Sequence, residues 1–96
     1  HVAPNELLIS LLDFYKEHSD FYLALYRAGL SDMLLQTLLE QSEITPELPN
    51  ALAYLKSSIA YMLYGWIVEW MKRGMPESGT ELARMIADSQ NTGTKP

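Results

Sequence analysis

Apolar side chains recur at three- and four-residue spacing along most of this chain, which is the period of an amphipathic helix. In the first such stretch, Leu7, Leu11, Phe14 and His18 share one face, and Asn5 stands where an N-cap is expected. The pattern predicts a first helix with one strongly apolar side.

Two shorter helices are predicted next. Ser19 or Asp20 offers a new cap, and Gly29 can close the second helix in a left-handed conformation. Ser31 or Asp32 begins a third helix, which ends near position 41. Prolines at 46 and 49 place an internal loop over residues 43–49.

The fourth predicted helix begins at or just after Pro49 and ends near Arg73, which makes it the longest in the chain. It is apolar on two faces, so both need a covering partner. The face expected to point inward carries Leu52, Leu55, Ile59, Leu63, Trp66 and Trp70. The nearly opposite face carries Tyr54, Tyr61, Gly65 and Val68.

A short closing helix should follow. Gly74 and Pro76 end the fourth helix, and Ser78 and Glu81 have the spacing of a capping box. We expect this fifth helix to pack antiparallel to the fourth, with Leu82, Met85 and Ile86 on its inner side.

No strand-like alternation occurs in the sequence, so the predicted fold is all-α, a bundle of about five helices. Residues 1–89 are expected to form one domain, and residues 90–96 a polar, disordered tail.

Composition narrows the function. The 96 residues are 48% hydrophobic, enough for one core, and the net charge of −5 with scattered basic residues argues against direct DNA binding. The longest uncharged run, residues 57–68, is shorter than the ~20 apolar residues of a membrane span. Cysteine is absent. These features favour a cytoplasmic protein without a membrane partner.

The sequence contains no pattern that supports a catalytic function. The sequence has no nucleophile elbow, no phosphate-binding glycine loop and no metalloprotease histidine pair. Acidic residues at Asp13, Glu17 and Asp20 lack the paired Glu-x-x-His pattern of helical-bundle metal sites. We therefore expect no enzyme activity, no metal and no cofactor.

The segment from Gly65 to Leu82 reads "G-x-x-x-x-W…G…S…E-L", and residues 26–30 give a weaker second match. This pattern resembles the C-terminal regulatory domain of TetR-family transcriptional regulators, most closely the branch that includes regulators of dihydroxyacetone kinase operons. The resemblance implies a homodimer formed through the last two helices, an unidentified small-molecule effector, and DNA contact only through a helix-turn-helix domain that this chain lacks.

Two sets of candidate residues follow. Aromatic inner faces and a histidine on the first two helices suggest an effector site bounded by Leu11, Phe14, His18, Tyr22, Met62 and Trp66. The spare face of the fourth helix and the closing helix suggest a dimer interface of Tyr54, Tyr61, Gly65, Val68, Leu82, Met85 and Ile86. The alternative function is a helical dimerisation or protein-interaction scaffold with no small-molecule site.

Overall fold

The structure, a computed structural model, describes residues 4–92. Within that range the chain forms five α-helices and no strand, which confirms the all-α prediction. At 23 residues, α4 is the longest helix and is unbroken, also as predicted. The helices are α1 (Pro4–Glu17), α2 (Ser19–Arg27), α3 (Asp32–Gln41), α4 (Asn50–Lys72) and α5 (Gly79–Thr92).

Three helix ends differ from the sequence prediction. α1 already begins at Pro4, so Asn5 lies inside its first turn. The N-cap of α2 is His18, with no side-chain capping bond, rather than Ser19 or Asp20. α5 continues to Thr92, past position 90 where the tail was predicted to begin, and residues 93–96 lie outside the described part. Gly29 does close α2 with a left-handed φ of 76°.

The core draws its buried side chains from α1, α3, α4, α5 and the turn before α5. On α4 the innermost positions are Ala60, Ile67, Trp70 and Met71. Burial of this apolar surface is the main favourable contribution to folding, at about 25 cal/mol per Å². The buried set is Leu12, Tyr15, Leu34, Leu38, Ala60, Ile67, Trp70, Met71, Met75, Leu82, Ala83 and Ile86.

The first half of the predicted inner face of α4 is not covered within the chain. Leu52, Leu55 and Ile59 are 40%, 57% and 44% exposed. α2 and α3 pack on α4 from another side, and α5 packs mainly on α1. α5 was expected to pack antiparallel to α4, but its main packing partner is α1.

α5 is directed onto α1 by a close backbone approach between Gly79 and Asp13. A β-carbon placed on Gly79 would lie 2.5 Å from the Asp13 amide nitrogen and 2.8 Å from its Cα, well inside van der Waals contact. Only glycine fits at this crossing. A β-carbon placed on Gly65, in the middle of α4, would by contrast have nothing within 4 Å in this chain.

The turn between α4 and α5 uses two consecutive left-handed residues, Gly74 (φ 89°) and Met75 (φ 54°). The Gly74 amide donates to the Met71 carbonyl at 3.0 Å, and the Met75 amide donates to the Trp70 carbonyl at 2.8 Å. Left-handed backbone is unfavourable for methionine, but its side chain is fully buried here. The Lys16 ammonium on α1 donates to the Met75 carbonyl and ties the turn to the first helix.

The predicted capping box of α5 is confirmed. The Ser78 amide donates to Glu81 Oε1 at 2.9 Å, and the Glu81 amide donates to Ser78 Oγ at 3.1 Å. These contacts hold the pKa of the Glu81 carboxyl below its ordinary value. The hydrogen bond with the Ser78 backbone has the larger effect, and the hydrogen bond with the Ser78 side chain has the next largest. This cap fixes where α5 starts, one residue after Ser78.

Replacing Gly79 with alanine should destabilise the domain by about 1–3 kcal/mol, because the added methyl group forces α1 and α5 apart. Urea unfolding followed by circular dichroism measures the change. Thr80→Ala, at the exposed neighbouring position, is the matched control and should stay within about 0.5 kcal/mol of the parent. Equal stability of Gly79→Ala and Thr80→Ala would contradict this account of the crossing.

Candidate functional site

The six residues predicted to bound an effector site do not enclose one cavity. Leu11 and Met62 line an apolar groove of about 330 Å³ between α1, α4 and α5. Met62 and Trp66 line a neighbouring depression of about 380 Å³. Tyr22 lines a separate cleft against α3. The structure thus brings some of the predicted residues together in pairs but not as a set.

Phe14 and His18 form the remaining pair. Their rings lie 4.5 Å apart, centroid to centroid, and are tilted by 56°. Both side chains are exposed, with Phe14 at 50%. His18 therefore does not lie on a buried apolar face as predicted. Its carbonyl instead accepts the amides of Phe21 and Tyr22 at 3.1 and 3.2 Å, so His18 marks the bend between α1 and α2.

Three depressions line up along α4, and we refer to them together as the α4 trough. The groove at Leu11 shares Met62 with the second depression, which shares Trp66 and Glu69 with a third of about 240 Å³. Glu69 and Arg73 form an exposed ion pair at 2.9 Å near the far end. The trough is therefore apolar over most of its length and charged at one end.

Five of the predicted interface residues line the trough, whereas Tyr54 and Val68 do not. Tyr54 and Tyr61 are 68% and 54% exposed on α4, and Gly65 is exposed between them and the Glu69–Arg73 pair. Met85 on α5 is also exposed, and Val68 is half-buried. Leu82 and Ile86 are 3% and 4% exposed because they pack into this chain's own core, so they have little surface left for a partner.

A second concave site lies between α1, α2 and α3, and we call it the aromatic cleft. Its volume is about 200 Å³. The Tyr15 and Tyr22 rings meet edge to face at 4.8 Å, and Phe21 meets Tyr22 in the same way at 5.1 Å. This is a favoured aromatic arrangement. The lining residues are Tyr15, Phe21, Tyr22, Leu25, Met33, Leu34 and Thr37.

Sequence reasoning identified only Tyr22 among these as a site residue. Tyr15 and Tyr22 belong to different helices, and the bend at His18 brings their rings together. Tyr15 and Tyr22 are seven residues apart, and this spacing would place them on one face of a continuous helix. The break at residue 18 removes that sequence signal. The α3 residues Met33 and Thr37 were not among the predicted site residues.

Burial, together with the smaller effect of the neighbouring Tyr22, raises the pKa of the Tyr15 hydroxyl to about 12. Burial also raises the pKa of Tyr22. Both hydroxyls therefore remain protonated at neutral pH and can donate a hydrogen bond. Neither makes a hydrogen bond to another residue in the described part of the chain.

Metal binding and membrane insertion can also be judged from residues 4–92. No group of three or more histidine, aspartate or glutamate side chains in that range is placed to hold a metal ion. No helix in that range is long and apolar enough to cross a membrane.

Comparison with known families identifies the domain type. Residues 3–92 match a TetR-type family model described as a transcriptional regulator C-terminal region. The match covers nearly the whole chain and confirms the resemblance at family level. Searches of curated proteins and of solved structures gave no match.

Alkaline pH should expose the role of Tyr15 in stability. A folded-state pKa raised from 10 to about 12 stabilises the fold fully below pH 10, and this contribution is lost as the pH rises through 12. Tyr15→Phe, which cannot ionise, should therefore show a shallower loss of stability between pH 9 and 12 than the parent. Urea midpoints measured across that range test this, and parallel curves for the two proteins would contradict it.

Proposed function

We propose, since the chain belongs to the TetR C-terminal family of transcriptional regulators, that it is the dimerisation and effector-sensing domain of such a regulator. The supporting observation is the uncovered apolar surface along α4. DNA contact would belong to a helix-turn-helix domain outside this sequence, which agrees with the net charge of −5.

The proposed dimer interface runs along the α4 trough. Leu55, Ile59 and Tyr61 are each 44–57% exposed within one helix, an unusual density of large apolar side chains for a surface facing water. A second copy related by a two-fold axis would cover the same patch with itself. At 23 residues, α4 is about 35 Å long, enough to support an interface of standard size.

Gly65 has a specific part in this proposal. It is exposed at the middle of the trough, and its side-chain position is open within the chain. A glycine inside a helix costs up to about 1 kcal/mol relative to alanine, and nothing in this chain offsets that cost at Gly65. Close approach of a partner helix at this point would offset it.

The interface we propose consists of surface positions that remain accessible on α4 and α5. Tyr54, Tyr61, Gly65 and Val68 supply the α4 side, and Met85 supplies the α5 side. Leu82 and Ile86 support that surface from beneath, because they are buried directly under it in the core.

Sensing would work through the relative position of two such domains. A ligand that binds one arrangement of the dimer better than another shifts the population toward it by its difference in affinity. In the intact regulator this changes the spacing of two DNA-binding heads, and operator half-sites tolerate little change in spacing. The resemblance to dihydroxyacetone kinase operon regulators is a further part of the proposal, carried by the Gly65–Leu82 pattern.

A scaffold without a small-molecule site is the second candidate function. The observation in its favour is the dispersal of the six predicted effector residues over separate surfaces. In that case a protein partner, rather than a small molecule, would bias the dimer.

Gly65→Leu should weaken the homodimer by roughly 5- to 150-fold in Kd, because a bulky side chain forces the two α4 helices apart and overpacking costs about 1–3 kcal/mol. Sedimentation equilibrium at micromolar concentration measures the effect. The monomer fold should tolerate the change, since the position is open within the chain, so circular dichroism should show unchanged helix content.

Ala24→Leu, a similar apolar addition at an exposed position on α2, is the control and should leave the dimer intact. A parent protein that sediments as a monomer of 10.9 kDa would refute the dimer proposal outright.

A further inference from the structure

We infer that the aromatic cleft is a binding site for a small, neutral aromatic carbonyl compound, with the Tyr15 hydroxyl donating a hydrogen bond to the carbonyl oxygen. The inference rests on the proposed sensing function and deepens it by naming a site and a ligand class. It places the ligand away from the α4 trough, between α1, α2 and α3.

The size and walls of the cleft set the ligand's shape. Its volume of about 200 Å³ is below the ~300–1,000 Å³ of sites for drug-sized ligands, while an apolar cavity of ~150 Å³ accommodates benzene. One aromatic ring with a small substituent therefore fits. Tyr15, Tyr22 and Phe21 present ring faces and edges at angles of 81–87° to one another, which suits a further ring.

The polar groups of the cleft set the ligand's hydrogen-bonding. Thr37 Oγ1 already donates to the Met33 carbonyl at 3.1 Å, so the threonine is not a free donor. Tyr15 is only 4% exposed, yet no described residue accepts a hydrogen bond from its hydroxyl. That hydroxyl is not sealed off either, because the only fully enclosed unpartnered side-chain polar atom among the described residues is Trp70 Nε1. The Tyr15 hydroxyl is therefore available to donate a hydrogen bond to an acceptor oxygen of a bound ligand.

The charge of the cleft sets the ligand's charge. None of its seven lining residues is ionised at neutral pH, since both tyrosines have raised pKa values. Moving an anion or a cation there would remove it from water with no opposite charge to compensate. A neutral acceptor such as a ketone, aldehyde, amide or ester carbonyl meets all three requirements.

The α4 trough meets them less well, because its second and third depressions include the charged Glu69. The groove at its Leu11 end is lined only by leucine, isoleucine and methionine side chains and offers no hydrogen-bond donor to orient a ligand. Its length and exposure suit a second helix better than a compact ring.

The test uses three probes of matched shape and the 96-residue chain at pH 7, followed by carbon–proton correlation NMR of methyl groups. Acetophenone carries the carbonyl, ethylbenzene lacks it, and benzoate carries a charge. Acetophenone should bind saturably and shift the Met33 and Thr37 methyl signals. Ethylbenzene should bind roughly 2–12-fold more weakly, the factor that one net hydrogen bond provides. Benzoate should leave the Met33 signal unchanged.

Tyr15→Phe should lower acetophenone affinity to that of ethylbenzene. Tyr26→Phe is the matched control, because Tyr26 lies on α2 but does not line the cleft, and it should leave the affinity unchanged. If Tyr15→Phe does not fold, the comparison of the three probes on the parent protein still decides the matter. Equal affinities of acetophenone and ethylbenzene for the parent, or shifts confined to Met62 and Met85 of the trough, would overturn the inference.

Sedimentation of the same samples separates this inference from the proposed function. A dimer that binds no acetophenone in the cleft refutes the ligand site alone. A monomer that binds acetophenone at Met33 and Thr37 refutes the dimer alone.

Discussion

The close approach of α1 and α5 at Asp13 and Gly79 decides which surfaces of this domain are covered. Because no side chain fits between the two backbones, α5 packs mainly against the first helix. α4 packs mainly against α2 and α3 and is left open along the trough. The surface proposed for dimerisation lies on the part of α4 that the described residues leave exposed.

α1 is the element that connects the separate parts of the structure. Within six residues of α1, Leu11 lines the α4 trough, Leu12 lies in the core and Tyr15 lines the aromatic cleft. In the same stretch, Asp13 contacts α5 at the crossing, and Lys16 donates to the α4–α5 turn. A small rotation of α1 about its axis would change all of these contacts together. If the cleft binds a ligand and the trough binds a second copy, α1 provides a physical link between them.

The sequence predicted best what depends on local chemistry. Helix number, the unbroken α4, the glycine at the end of α2 and the reciprocal Ser78–Glu81 cap all follow from residues within one or two turns of each other. Prediction from the sequence failed where the structure depends on contacts between residues that are far apart along the chain. Periodicity showed that Leu52, Leu55 and Ile59 share a face of α4, but not that this face lacks a cover within the chain.

The candidate site shows the same division. Tyr22 was recognised as an inward-facing aromatic residue, but its partner Tyr15 and the α3 wall depend on the angle at His18, which no spacing rule reports. The two glycines are equally instructive. Gly65 attracted attention as a helix-interior glycine, whereas Gly79, whose position in a capping box seemed to explain it, is the one that the fold requires.

The pairing of the first helix with the last also governs how the chain can be made. Sixty-six residues separate Asp13 from Gly79, so the contact closes a loop over most of the chain and must form late. On the ribosome, α1 emerges long before α5 has been synthesised, and Leu12 has no complete core to enter during that interval. Folding of this domain is therefore completed only after α5 has left the ribosome, and a nascent chain halted before residue 79 would display the apolar side of α1 to chaperones.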